Sequence, residues 1–375
     1  MDFSISEEQL QLRDAVKRFC DGEYPPEMRG QQVSADMRRE RWGMMAELGL
    51  IGLAVSETCG GSDLGMVEQM GVLEELGRCL SPEPYLSTAV ISGSLINALG
   101  TSEQQQRWLA PIAMGQLRVA FALDEPRERY AYQASLMECR LTLEGEDYRL
   151  SGEKSLVLDG ADADAYVVAA QHDGALQLLV VPADAVGLTR TTGSTLDSRE
   201  IATLCFADVL ISSGQVLAEG ERAECALQAV LDRTSAALCA ESVGAMTELV
   251  EQTREFLKVR KQFGAVLGKF QVLQHRFVDM VIALEQSRSM AAVAAMAVDE
   301  ADAEKSRKLV SAARVSVARA ARLISKEAVQ MHGAMGMTDE CQVGHYVKRL
   351  MVAERLFGDI SHQLQNFAKS TATAA

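Results

Sequence analysis

The spacing of apolar positions changes twice along the chain, and the two changes divide it into three parts. Over residues 1–115 the apolar positions recur at helical spacing. Leu12, Val16 and Phe19 share one face, and Ser6-Glu7-Glu8-Gln9 has the form of a capping box, in which the Ser hydroxyl and the Gln side chain satisfy free amides at a helix start. Pro25-Pro26 ends that helix, because a residue before proline is pushed out of the α region. A second helix is predicted from Arg39 to Leu48. Gly60-Gly61-Ser62 separates it from a third around Val67–Leu80, and Trp108 to Met114 closes the segment.

Over residues 116–225 the period falls to two. Tyr148 to Gly152 and Ala202 to Ile211 read as strands, and Tyr166–Ala170 and Leu176–Val181 form a β-hairpin across the Asp173-Gly174 turn. Five of the seven prolines lie outside this region, so the change of period, not proline, marks its edges. Over residues 226–375 helical spacing returns in an Ala-, Met- and Leu-rich chain. Leu231–Val259, with Gly244 tolerated inside it, Phe270–Val298 and Ala303–Met331 supply long antiparallel helices of the kind that form a bundle. The tail from Ser370 to Ala375 is expected to fray.

Composition narrows the function. At 375 residues the chain is too long for one simple core and should hold two or three domains, and its 48% hydrophobic content is that of a globular protein. A net charge of −15 argues against nucleic acid and against an anionic membrane surface, since either needs clustered Lys and Arg. It leaves room for an anionic cofactor, because a few placed Arg residues outweigh the mean charge. No apolar run approaches the ~20 residues a membrane helix needs, and the charged N-terminus lacks the apolar stretch of a signal peptide. Eight Cys without a C-x-x-C pair read as reduced, buried thiols of a cytoplasmic protein; Cys341 with His345 nearby makes two ligands, too few for zinc.

Three local runs carry the chemistry: Arg260-Lys261-Gln262-Phe263-Gly264, the pair Phe270-Gln271, and Gln330-Met331-His332-Gly333-Ala334-Met335-Gly336. In this order and spacing they resemble the acyl-CoA dehydrogenase family, and the resemblance covers nearly the whole chain. It implies an α+β, mostly α fold: an N-terminal helical domain, a middle β-barrel-like domain and a C-terminal four-helix bundle. It also implies FAD as cofactor and an acyl-CoA thioester as substrate. In the family these runs reach across an interface and hold the adenine-diphosphate end of a flavin seated mainly on the neighbouring subunit. The residue types suit that use. Arg260 offers a planar fork that can pair with pyrophosphate or make a surface ion pair. Gln271 can hydrogen-bond adenosine. Gly333 and Gly336 admit a close ligand or simply end a helix. Phe263, Phe270, Gln330 and Ala334 belong to the same expected set.

The other half of the expected site departs from the family. The own-subunit flavin contacts are a Thr-Glu-Pro loop with a small Gly-Ser-Asp turn, and a Trp-Ile-Thr segment. Here the first place reads Leu123-Asp124-Glu125-Pro126-Arg127-Glu128-Arg129-Tyr130, bulky and charged, and the second reads Ser155-Leu156-Val157-Leu158, without the aromatic wall or the hydroxyl. The family reaction removes an α-proton from the thioester with a Glu while a hydride leaves the β-carbon. At the usual place of that Glu stands Gly358, within Leu356-Phe357-Gly358-Asp359, and at the minority place stands Thr234. Asp359, one residue along, and Glu241, two helical turns from Thr234, are the candidate replacements; an internal ion pair is the alternative for Glu241.

The Leu-Phe-Gly-Asp ending and Gly344–Arg349 resemble a bacterial branch that works as unequal subunits, α2β2, on bulky or dicarboxylic thioesters such as pimeloyl-CoA and steroid side-chain acyl-CoA. The leading expectation is therefore a subunit that lends its half-site to a homologous, Glu-bearing partner. A self-sufficient homotetramer using Asp359 or Glu241 and a non-catalytic structural subunit are the rivals, with an oxidase or monooxygenase on the same fold behind them.

Overall fold

The computed structural model describes residues 6–127 and 129–372. Eleven α-helices and ten strands are found among them. The N-terminal helices are α1 (Glu7–Glu23), α2 (Ala35–Glu47), α3 (Met66–Cys79), α4 (Gly93–Leu99), α5 (Ser102–Gln104) and α6 (Ala110–Ala113). The strands are β1 (Val119–Ala122), β2 (Arg140–Glu144), β3 (Asp147–Leu158), β4 (Ala165–His172), β5 (Ala175–Pro182), β6 (Leu188–Ser194), β7 (Glu200–Ile211) and β8 (Val216–Glu219). There follow α7 (Gly220–Val259), the short hairpin β9 (Lys261–Gln262) and β10 (Ala265–Val266), then α8 (Gln271–Val298), α9 (Ala303–His332), α10 (Gln342–Ala353) and α11 (Ile360–Ala372). The chain thus has an N-terminal helical part, a middle sheet and a C-terminal helical part.

Two compact units form from this order. One takes Val33–Gly65 and Pro82–Thr234 and holds the sheet. Its strands run β6-β7-β3-β2-β4-β5-β8, with β1 parallel to β4. Leu150, Tyr166, Val168, Leu179, Val181, Leu204, Phe206 and Ile211 pack into its core. Alternation along β7 sends Leu204, Phe206, Val209 and Ile211 inward and Cys205, Ala207 and Leu210 outward, the period-two pattern of a half-buried strand. The β4–β5 hairpin closes at Asp173 (φ 48°) and Gly174 (φ 81°), two left-handed residues of the kind a two-residue hairpin turn requires.

The second unit takes the chain up to Gln32, then Met66–Ser81 and Ser235 onward. Ser6 caps α1 through the expected capping box. In α7, Gly244 has a packing role: a Cβ there would lie 1.8 Å from the Glu74 carbonyl oxygen, and one on Gly77 of α3 would lie 2.1 Å from the Glu241 carbonyl oxygen. The two helices cross backbone to backbone, which only glycine permits. Charges tie α3 to α1: Arg13 bridges Glu74 (2.8 Å) and Glu75 (3.2 Å), and Arg78 bridges Asp21 (2.6 Å) while also pairing with Glu75 of its own helix (2.7 Å).

Four expectations need correction. Helix α7 starts at Gly220, not Leu231, because buried Ala223, Leu227 and Val230 extend its apolar stripe between exposed polar residues. Helix α2 starts at Ala35, capped by Ser34, not at Arg39. The tail expected to fray from Ser370 is helical through Ala372, with Ser370 buried beside Gln363 on the inward face of α11 (Thr373, Ala374 and Ala375 lie outside the described residues). Finally, α8 is long and apolar enough to cross a membrane by length and composition. Its isolated polar residues hid that run, and in the structure Met280, Ala283, Leu284 and Ala291 are buried.

Candidate functional site

The three runs singled out above converge on one end of the helical unit. Helix α7 ends at Val259, and Arg260 closes its last turn by donating its N–H to the Phe256 carbonyl (2.9 Å). The β9–β10 hairpin turns through Phe263 (φ 53°) and Gly264 (φ 74°). A left-handed Phe that is also 88% exposed is costly twice over, in backbone strain and in hydrated apolar surface. Phe263 meets Phe270 edge-on at 6.2 Å, and Phe270 stands at the N-cap of α8, which opens with exposed Gln271. One turn before Arg260, Phe256 stacks on His332 at 4.3 Å and 27°. That stack joins the hairpin end of α7 to the last turn of α9.

His332 is a packing residue. Its Nδ1 faces the Ala328 carbonyl at 2.8 Å, and burial holds its pKa below the usual imidazole value. Gly333 (φ 63°) ends α9 and leads into a single 3₁₀ turn to Met337. Gly336 is buried there, and a Cβ on it would come within 3.0 Å of the His332 Cβ. Gln330, Gly333 and Ala334 are exposed. Among the described residues Arg260 makes no ion pair, and the side-chain amides of Gln271 and Gln330 make no hydrogen bond. The end of the bundle therefore presents one uncommitted guanidinium, two uncommitted amides and an exposed aromatic ring. Sequence reasoning missed Phe256, although its position four residues before Arg260 puts it on the same helix face.

In the sheet unit the corresponding half is knitted together by its own groups. Lys154, fully buried, donates to Glu125 Oε1 (2.7 Å) and to the Leu123 carbonyl (3.0 Å). Glu125 also accepts the backbone N–H groups of Glu138 (2.6 Å) and Cys139 (3.0 Å). Burial raises the pKa of Asp124, against the pull of Lys154 and Arg129. Arg127 is spent on Glu138 (2.7 Å), and the Arg129 guanidinium lies 5.1 Å over the Tyr130 ring; Glu128 lies outside the described residues. Strand β3 bulges between Lys154 and Val157, turning Leu156 outward (φ 52°, 51% exposed) while Leu158 is buried. Neither leucine side chain can donate a hydrogen bond to a flavin. The buried Lys154–Glu125 pair was not read from the sequence.

Neither proposed replacement base is free. Glu241 is 3% exposed, and Arg349 donates to its Oε1 at 2.8 Å and to the Ser81 carbonyl at 3.3 Å. The internal ion pair is thus what the structure forms. Asp359 caps α11, accepting the His362 backbone N–H at 3.0 Å. At the two positions where the resemblance places the carboxylate, Thr234 is fully buried and donates its hydroxyl to the Val230 carbonyl of its own helix (2.6 Å). Gly358 has φ 121°, and a Cβ on it would lie 2.8 Å from His362 Cδ2 and 2.9 Å from Gln363 Nε2. The conformation is one that a glutamate does not adopt.

A helical part, a sheet and a helical bundle carrying this cluster define a flavin-type dehydrogenase scaffold, and the family models agree. Residues 6–116 match the acyl-CoA dehydrogenase N-terminal domain and residues 224–372 the C-terminal domain. The human mitochondrial short-chain specific acyl-CoA dehydrogenase is 30% identical over 83% of this chain and 77% of its own. The chain belongs to the acyl-CoA dehydrogenase family, whose members are oxidoreductases. Among solved structures, the ChsE4-ChsE5 complex of Mycobacterium tuberculosis is 25% identical, covers 99% of both chains and has a TM-score of 0.88. A Tcur3481-Tcur3483 steroid ACAD variant is 26% identical over 98% of both chains, with a TM-score of 0.87. A glutaryl-CoA dehydrogenase of Mycobacterium smegmatis, in complex with FADH2, shares the fold at 22% identity and a TM-score of 0.88, over 98% of this chain and 95% of its own.

Proposed function

We propose that this chain is one subunit of a heteromeric, FAD-dependent acyl-CoA dehydrogenase, and that it lends half a cofactor site to a homologous partner bearing the catalytic Glu. The observation that carries the reading is the contrast between its two halves. Arg260, Gln271 and Gln330 stand exposed and uncommitted beside an 88% exposed Phe263, whereas the sheet-side groups are spent on one another. Arg260 would pair with the diphosphate, and Gln271 and Gln330 would meet the adenosine end. The backbone around Gly333 and Gly336 would lie against it. FAD, when bound, supplies the acceptor for the hydride leaving the substrate β-carbon. This chain's contribution is to hold and orient the anionic end of the cofactor and to keep water from it. The α-proton would go to the partner's carboxylate, since Glu241 is held by Arg349 and Asp359 caps a helix.

That two of the similar solved structures are assemblies of two differently named chains supports an α2β2 arrangement, and one of them is described as a steroid ACAD. On that basis the substrate is a bulky or dicarboxylic acyl-CoA, and the eight free thiols fit a cytoplasmic setting. The test is the absorbance spectrum and flavin-to-protein ratio of the chain, purified alone and after co-expression with a Glu-bearing homologue. A colourless chain that yields a yellow complex, at about one flavin per pair, is expected. One flavin per chain without a partner, with turnover of acyl-CoA, would overturn the proposal.

A further inference from the structure

The runs that form the half-site lie far apart in the chain, and side chains outside the expected set tie them together. The hairpin carrying Arg260 hangs from the end of α7. The Arg260 N–H meets the Phe256 carbonyl (2.9 Å), and the Leu267 N–H closes the hairpin base on the Arg260 carbonyl (2.8 Å). Lys261 pairs with Val266 and Gln262 with Ala265, a ladder too short to hold a fixed position by itself. Three side-chain contacts make a closed circuit around it. Phe263 meets Phe270 edge-on at 6.2 Å, which joins the hairpin to the start of α8. In the second turn of α8, Arg276 pairs with Glu327 of α9 (2.6 Å). Further along α9, His332 stacks on Phe256 at 4.3 Å and 27°, which returns the circuit to α7.

The stack has a fixed orientation. His332 Nδ1 lies 2.8 Å from the Ala328 carbonyl oxygen, which can only accept, so Nδ1 carries the hydrogen and the bond sets the plane of the imidazole. The ring is also buried, and Phe256 meets a face that does not turn. Phe256 is one helical turn before Arg260 and holds its amide. His332 is the residue before Gly333, whose φ of 63° begins the turn to Gly336. Both sides of the half-site therefore leave the bundle within a turn of the two stacked rings.

We propose that Phe256 and His332 are positioning residues: their stack sets the separation between the Arg260 guanidinium and the Gly333–Gly336 backbone, so that both meet the diphosphate end of FAD at once. The inference rests on the lent half-site reading and adds to it the side chains that hold the site in register. Neither ring has to touch the cofactor. The gain is preorganisation: groups already in place spend less of the binding free energy on being ordered.

The experiment is FAD titration of the flavin-stripped complex, formed by co-expression with a Glu-bearing homologue and followed by flavin fluorescence. Phe256→Leu keeps an apolar group but loses the ring, and His332→Asn keeps a donor for Ala328 but loses the stack. Each should weaken FAD binding by roughly 3–10-fold, the worth of one aromatic pair. Phe256→Tyr keeps the ring and should bind FAD as the parent chain does. A double-variant cycle separates positioning from a general effect on the fold: Phe256→Leu should cost little more once Arg260→Gln is present, because it acts through Arg260. Equal weakening by Phe256→Leu in both backgrounds would overturn the proposal. If Arg260→Gln weakens binding and Phe256→Leu does not, the positioning role fails and the lent half-site stands. If neither change weakens binding, the half-site reading fails and this inference fails with it.

Discussion

Replacing Glu241 with Gln removes one partner of a fully enclosed ion pair in the helical unit. Glu241 and Arg349 are each 3% exposed and 2.8 Å apart, so the guanidinium left behind keeps its charge in a poorly hydrated place. Losing one side of a buried pair costs about 3–5 kcal/mol. The neutral Gln amide retains one hydrogen bond, which puts Glu241→Gln at the lower end and Glu241→Ala, with its added cavity, at the upper. At a urea dependence of about 3 kcal/mol per molar, the unfolding midpoint falls by about 1 M. Removing both charges, Glu241→Leu with Arg349→Met, leaves no unpaired charge from this pair and should cost less than the sum of the two single changes. The assay is urea unfolding of these variants, the two single changes of the double variant included, by circular dichroism, alongside acyl-CoA turnover of the assembled enzyme. If Glu241→Gln abolishes turnover yet unfolds at the wild-type midpoint, Glu241 is a base and the ion-pair reasoning fails. If the double variant costs the sum of the singles, the pair is not the unit of stability.

Gly244→Ala places a Cβ where the gap to the Glu74 carbonyl oxygen is 1.8 Å, so α3 and α7 must separate; a loss of at least about 1–3 kcal/mol is expected, and an unchanged unfolding midpoint would show that the helices do not touch there. Gly358→Glu does not restore a base, because φ 121° and His362 oppose the side chain; acyl-CoA turnover by the isolated variant should stay at background, and its unfolding midpoint should fall by an amount equivalent to about 1–3 kcal/mol. Arg260→Gln should lower the flavin content of the co-expressed complex without moving the melting temperature of the chain, since the side chain holds nothing in the fold; retained flavin would remove Arg260 from the site. His332 has a pKa below its unfolded value of about 6.5, so the unfolded chain binds more protons below that value: stability is fully present above about pH 6.5 and falls as the pH drops through the depressed folded pKa. His332→Phe keeps the stack on Phe256 and should flatten the decline in urea midpoint between pH 7 and 5.5.

Much of this molecule follows from local rules. The capping box at Ser6, the Asp173-Gly174 hairpin and the long α8 and α9 need only near neighbours to form, and their signatures lie within a few residues of one another. The runs around Arg260, Phe270 and Gln330 were likewise legible as motifs. What the chain order could not give is which charges meet. Whether Glu241 is a free carboxylate or half of an ion pair depends on Arg349, more than a hundred residues away, and nothing in the spacing of either marks the other. Gly244 read as a tolerated defect until its packing on the Glu74 carbonyl oxygen gave it a purpose. Ile360, Leu364 and Phe367 recur at helical spacing along α11, but the burial of Gln363 and Ser370 on it is set by neighbouring elements and not by hydrophobicity. Local backbone preference and periodicity act over one or two turns and are written in the sequence itself. Electrostatic pairing and close backbone approach join residues far apart in the chain, so only the folded structure decides which groups are spent on the fold and which are left for a ligand.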